Sequence, residues 1–278
     1  MGDRLRPLWD FDDLDATESR FRDQLELETS DSGRAGVLTQ LARVEGLRGR
    51  FEQCDALLDA AETLGGAEAR VALERGRRER SSGRAGAGLV QFAQAYELAR
   101  SNGEDVIAVD AAHMLAIVGD SEAWTGRAVE IAGSSDDPGV RYWLGPLYNN
   151  LGWSLYEAGD AGGALEAFEL ALASRERDDA RPYEREIARY SVGKALRAVG
   201  RAGEAAAALE RCVAWAAEAG VEDAYFHEEL AEDYAALGRD AEAREHARRA
   251  LELVADEDSP RVGRLRELSG ATGAGDVA

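Results

Sequence analysis

The sequence predicts an all-α fold of repeated antiparallel helix pairs, on three observations. Its composition favours helix, one turn glycine recurs along the chain, and small side chains stand at fixed distances from that glycine. With 278 residues, 5 prolines and 7% aromatics, the chain is rich in alanine and glutamate, unbranched side chains that lose little rotamer freedom in a helix. A hydrophobic fraction of 45% supports a core of small residues, and small residues let helices approach closely.

The turn glycine is followed by Arg or Asp at Gly49-Arg50, Gly83-Arg84, Gly119-Asp120, Gly159-Asp160, Gly200-Arg201 and Gly238-Arg239, with spacings of 34, 36, 40, 41 and 38. Such a period marks a repeat architecture. Each glycine is expected to end one helix in the left-handed conformation, so that the next begins within two residues. Alignment on it brings tiny residues to the position seven before: Ala42, Gly76, Ala112, Gly152, Gly193 and Ala231. Five after come Cys54, Gly88, Ala164, Ala205 and Ala243, with Trp124 the exception; nine after come Leu58, Phe92, Ala128, Phe168, Leu209 and Ala247. Twelve after stand Ala61, Ala95, Ile131, Ala171, Cys212 and Ala250. Small and apolar residues at i, i+4 and i+7 form the stripe of a helix packed on both neighbours.

Taken in order, residues 1–34 form an N-terminal segment with a capping helix over 15–29, bearing Phe21, Leu25 and Leu27. Residues 35–257 form six hairpins. Residues 258–278 hold a polar capping helix from Pro260 to Leu268 and a Gly- and Ala-rich tail with the composition of disorder. Two irregularities stand out. Trp124 in a small-residue slot implies that the third hairpin slips by one, placing Ala123 there, or opens. Arg75 replaces the Leu or Val of most other units. The longer spacings are assigned to a loop over Gly133–Gly139 and to extended helices around Arg175–Tyr183.

These residues resemble the tetratricopeptide repeat family, over about residues 35–257. The fourth unit, Tyr148-Asn149-Asn150-Leu151-Gly152 through Gly159-Asp160, Ala164, Phe168 and Ala171, is similar to a consensus repeat. The resemblance implies a right-handed superhelical solenoid of antiparallel helix pairs with capped ends. It also implies a concave groove lined by the first helix of each pair, and a role in protein–protein interaction as a scaffold.

The 54 acidic and 33 basic residues give a net charge of −21, which repels phosphate backbones and argues against nucleic acid. No run of 18 or more apolar residues appears and Met1–Asp13 lacks a signal-peptide pattern, so no membrane is expected and the cytoplasm is the default location. Cys54 and Cys212, 158 residues apart, suit core thiols in a reducing compartment better than a disulfide or metal framework. Lys194 is the single lysine; adaptation to a salt-rich cytosol and codon bias in a GC-rich genome both account for that.

In the family, groove-facing residues lie on each first helix, and here they fall six, nine and ten before the turn glycine. Six before gives Arg43, Arg77, His113, Trp153, Lys194 and Glu232; nine or ten before gives, among others, Asp110, Asn149, Asn150 and Tyr190, and Arg197 lies one turn beyond Lys194. The candidate groove is therefore Arg43, Arg77, Asp110, His113, Asn149, Asn150, Trp153, Tyr190, Lys194 and Arg197, a locally basic stripe in an acidic molecule. Its complement is an acidic or carboxylate-terminated peptide of a partner protein, held partly like the carboxylate clamps of the family. About three charge-assisted hydrogen bonds supply about 5 to 9 kcal/mol gross, less several kcal/mol for association, which implies micromolar or weaker binding. Two other readings remain open: a regulator binding a small anionic metabolite, and a metal-dependent enzyme centred on Asp110 and His113. Against the enzyme, there is no His-Glu-x-x-His, phosphate loop or nucleophile elbow, and no catalytic residue, metal or cofactor is assigned. Self-association is compatible with the sequence.

Overall fold

The computed structural model describes residues 3–119, 121–177, 181–254 and 259–270. The tail beyond Gly270 expected to be disordered, and part of the stretch between Arg175 and Tyr183, lie outside the described residues. Every regular element among the described residues is helical. The chain forms two compact units, residues 1–147 and 148–278.

Unit 1 begins with a segment holding one 3-10 turn at Arg6–Leu8, followed by α1 (Leu14–Leu27), α2 (Asp31–Leu47), α3 (Phe51–Leu64), α4 (Glu68–Ser81), α5 (Ala85–Asn102), α6 (Asp105–Val118), α7 (Ser121–Ser134) and the short α8 (Pro138–Arg141). The boundary falls within α9 (Leu144–Glu157). Unit 2 continues with α10 (Ala161–Arg175), α11 (Pro182–Ala198), α12 (Ala202–Ala219), α13 (Ala224–Ala236), α14 (Asp240–Leu253) and α15 (Pro260–Ser269). The six expected hairpins are α2–α3, α4–α5, α6–α7, α9–α10, α11–α12 and α13–α14. Within each unit first helices also touch the next first helix, α2 on α4 on α6 and α11 on α13 on α15.

Local chemistry explains the turns. Gly49, Gly83, Gly159, Gly200 and Gly238 all have φ between 71° and 86°, the left-handed region that glycine enters without a Cβ penalty. Gly119 differs, with φ −135° and ψ −130°. The hairpin after it also differs from expectation: Ala123 is exposed, and Thr125, Ala128 and Ala132 are buried. Ile131 is buried as well, so the nine- and twelve-after slots keep their register and only the first slot passes from 124 to 125, away from Ala123. Trp124 sits half-buried at its edge, against Tyr96 at 5.1 Å.

The hairpin cores are matched by size. The residues seven before each turn glycine are all buried, as are those nine after. A Cβ on Gly76 would come within 2.5 Å of the Phe92 ring. On Gly152 it would overlap Phe168, and on Gly193 it would overlap Leu209. Where the first helix carries Ala112 or Ala231, the partner helix offers only Ala128 or Ala247. Five of the six pairs therefore keep a short helix separation with one large and one absent side chain, or two small ones, and the first sets Ala42 against Leu58.

Three further details depart from expectation. The 133–139 stretch is not a plain loop but leads into α8, whose Pro138 occupies the first turn where its missing N–H costs nothing. In α1, Phe21 is fully buried and Leu25 packs beside it, while Leu27 is 73% exposed and takes no part in the cap. In α15, Val262 and Leu265 are buried on an otherwise polar helix. Arg75 solves its awkward slot by reaching back to α3, where it bonds Asp59 at 2.8 Å and Glu62 at 2.7 Å.

Candidate functional site

The six residues placed six before the turn glycines are all half-buried. What surrounds them is not a free basic stripe. The position six before one turn glycine meets the position nine before the next, so bases of one first helix reach acids of the following one. In unit 1, Arg77 on α4 bonds Asp110 on α6 and also Glu74 of its own helix. In unit 2, Lys194 and Arg197 on α11 both bond Glu229 on α13. Further along, Arg261 on α15 bonds Glu228, and Arg264 bonds Glu232 at 2.7 Å.

These ladders set the charge states. Burial opposes charge on Arg77, but Asp110 and Glu74 outweigh it and hold the guanidinium more firmly protonated than usual. Burial likewise raises Asp110, and Arg77 with Arg43 overcomes it, holding the carboxyl below the usual range. Asp233 goes the other way. Burial, assisted by Glu229 and Glu232, pushes it up to about 7 despite Arg197; the Arg197 Nε lies 3.0 Å away but is not aligned for a hydrogen bond.

Four of the candidates converge in unit 1. Arg43, Arg77, Asp110 and His113 line a cavity of about 240 Å³ together with Glu74, Arg80 and Trp143. Arg43 makes no ion pair among the described residues; its guanidinium faces the rings of Trp9 at 5.1 Å and Phe11 at 5.4 Å. Burial, with the like charge of Arg77 behind it, lowers its affinity for the proton against the pull of Glu74 and Asp110. The His113 ring packs on Trp143 at 5.3 Å, and burial holds it below the usual histidine range, so it is neutral at pH 7. Trp143 Nε1 and Glu74 Oε2, both in the cavity wall, have no hydrogen-bond partner among the described residues. Asp110 accepts a hydrogen bond from Arg77 and none from His113 among the described residues, so the two do not form an oriented acid–base pair.

The other six candidates belong to unit 2. Asn149 accepts a hydrogen bond from Ser191 at 3.3 Å, and Asn150 is exposed. Trp153 lies against Phe168 at 5.2 Å and Tyr156 at 5.7 Å, covering the α9–α10 hairpin. Tyr190 packs on Phe226 at 6.1 Å, and burial with Glu229 nearby raises its hydroxyl well above the tyrosine range. Lys194 and Arg197 are committed as described. Sequence reasoning overlooked Trp143 and the contribution of residues 3–11; the cluster Leu5, Leu8, Trp9 and Phe11 in a non-periodic stretch was the signal for the last.

Helix pairs turned on left-handed glycines, cores of alternating small and large residues, and an inner face of half-buried polar side chains define a class of helical-repeat protein. Residues 147–177 match the tetratricopeptide repeat family, and the six hairpins are similar to that repeat in their helix-pair geometry. Solved structures of the same fold include BtubC from P. vanneervenii, 18% identical over 76% of this chain and 94% of that one, with a TM-score of 0.60. The Cut9–Hcn1 hetero-tetramer of the APC/C is 14% identical over 91% of this chain, which spans 47% of that one, with a TM-score of 0.59. The quorum sensor NprR from B. thuringiensis, in its apo form, is 13% identical over 95% and 85% of the two chains, with a TM-score of 0.56. No curated protein matches the chain in sequence. Among the described residues, no helix is long and apolar enough to cross a membrane and no three His, Cys, Asp or Glu side chains are grouped to hold a metal.

Proposed function

We propose that the chain is a non-catalytic interaction scaffold that receives a segment of a partner protein on the first-helix face of unit 1, with a carboxylate of that segment held at Arg43. The observation that carries this reading is the isolation of Arg43. Of the four candidate cations it alone lines a cavity without a carboxylate partner, and the charge-assisted bonds it can make are still unspent. The unpartnered Trp143 N–H in the same wall adds a neutral donor. Two such contacts, at about 1.5 to 3 kcal/mol for the charged one and less for the neutral one, keep binding micromolar or weaker after association is offset. Neighbours of the same fold that act as a sensor or within an assembly are consistent with a binding role.

The test compares arrayed peptides ending in a free carboxylate with the same peptides amidated. Free-carboxylate peptides bind the wild-type protein more tightly, and Arg43→Ala removes the difference. Equal binding of both sets would refute the assignment. The cavity volume favours one second reading. At about 30 Å³ per water, 240 Å³ also suits a small organic anion, and a thermal-shift series with dicarboxylates reads that directly, since a ligand of the folded form raises the melting point.

A further inference from the structure

Residues 3–11 lie on the first-helix face of unit 1, and side chains hold them there. Leu5 is buried among Phe21, Val37, Leu41 and Val44. The Asp3 carboxylate sits 2.8 Å from Arg70 on α4. The Arg6 guanidinium stacks 3.9 Å above Tyr142, and Trp9 Nε1 donates to Gln40 Oε1 on α2 at 2.9 Å. Trp9 and Phe11 stack on each other at 4.7 Å, and both rings face the Arg43 guanidinium. The segment's backbone makes only local bonds, apart from links through Thr17 and Arg20 on α1. Toward α2, α4 and Tyr142 its attachment is by side chains alone, among the described residues.

These are the contacts of a short segment docked on a helical face: a few side-chain anchors, at Gln40 and Arg43 positions that belong to the first-helix face. We infer that residues 3–11 are a displaceable strap, an intramolecular competitor for the partner segment, and that the partner carries the same anchors. Those anchors are an acidic residue, an aliphatic residue two positions on, and a tryptophan four positions beyond that. The inference rests on the reading that this face receives a partner segment, and it adds the partner's chemistry and its regulation. Residues 12 and 13 tether the strap to α1, so its effective concentration is on the order of millimolar or higher. A free peptide at micromolar concentration therefore competes with the strap, and the wild-type face binds it more weakly than a loosened one does.

The experiment uses the full chain and a fluorescein-labelled peptide of residues 3–11, measured by fluorescence anisotropy. Wild-type protein binds it weakly or not at all. The double variant Arg6→Ala/Trp9→Ala, which loosens the strap and leaves Leu5 in place, binds it at least about tenfold more tightly, and adding Gln40→Ala reverses most of that gain. A double variant that keeps its helical circular dichroism and binds no better than wild type overturns the strap. Hydrogen exchange on the wild type gives a second readout that needs no variant. Amides of Leu8, Trp9 and Asp10 exchange through local opening, faster than those of Leu41 and Val44 by at least about 100-fold; equal protection would make the segment a fixed part of the core and overturn the proposal. Because the probe is the chain's own segment, failure of the free-carboxylate comparison leaves these results standing, and failure here leaves the Arg43 assignment untouched.

Discussion

The Gly152–Phe168 contact shows how single residues set the helix separation. The ring of Phe168 fills the space a Cβ would need, against the backbone of α9. Gly152→Ala forces an overlap that neither a rigid ring nor a helix backbone relieves cheaply, and we expect a loss of about 1 to 3 kcal/mol in chemical unfolding. Phe168→Leu in the same chain restores part of it, giving the Ala–Leu pairing that Ala42 and Leu58 already make. These slots were legible from sequence, because residues aligned on a turn share one packing role. The counter-charges were not read correctly. Arg77 and Asp110 were both placed on the inner face, yet their separation of 33 residues is one repeat of 36 less three residues, about one helix turn, and that number already implies contact between neighbouring first helices. Treating each position separately made a neutralised ladder look like a basic stripe.

At the scale of elements, the α13–α14 hairpin joins two groups of opposite pH response. His227 and His246 meet through their Nδ1 atoms at 2.9 Å. One ring must donate and the other accept, so the contact cannot survive protonation of both. Burial, then His246, then Arg249 lower His227 to about 4, against Asp223; burial lowers His246 against Glu245 and Glu210. With folded values below the ordinary histidine value of about 6.5, the unfolded chain takes up protons first. The stability from this pair is present above about pH 6.5 and is lost as pH falls toward 4. Asp233 has the opposite sign: raised to about 7, it favours the fold at low pH and withdraws that support as pH rises through 7. Melting curves from pH 4 to 8 separate the two. His227→Gln lessens the acid-side loss, while Asp233→Asn gains on the wild type at pH 8 and loses that advantage near pH 4. The periodicity located this hairpin, but a pair of histidines 19 residues apart has no local sequence mark, since it depends on how two helices face each other.

For the whole molecule, a net charge of −21 works against compactness, whereas the ion pairs of the inner faces are half-buried and little affected by salt. Screening should therefore act mainly on the repulsion. We expect the melting temperature to rise steadily with KCl; a flat response would show that repulsion is minor and that the acidic surface is not an adaptation to salt. The division of labour among inner-face cations is tested most directly by comparing Lys194→Met with Arg43→Met, in denaturant unfolding and in binding to free-carboxylate peptides. Lys194→Met should lose about 1 to 3 kcal/mol of stability, because it leaves the buried Glu229 short of a partner, with binding unchanged. Arg43→Met should keep its stability and lose the binding. A Lys194→Met protein that is fully stable but no longer binds, or an Arg43→Met protein that still does, would contradict the account.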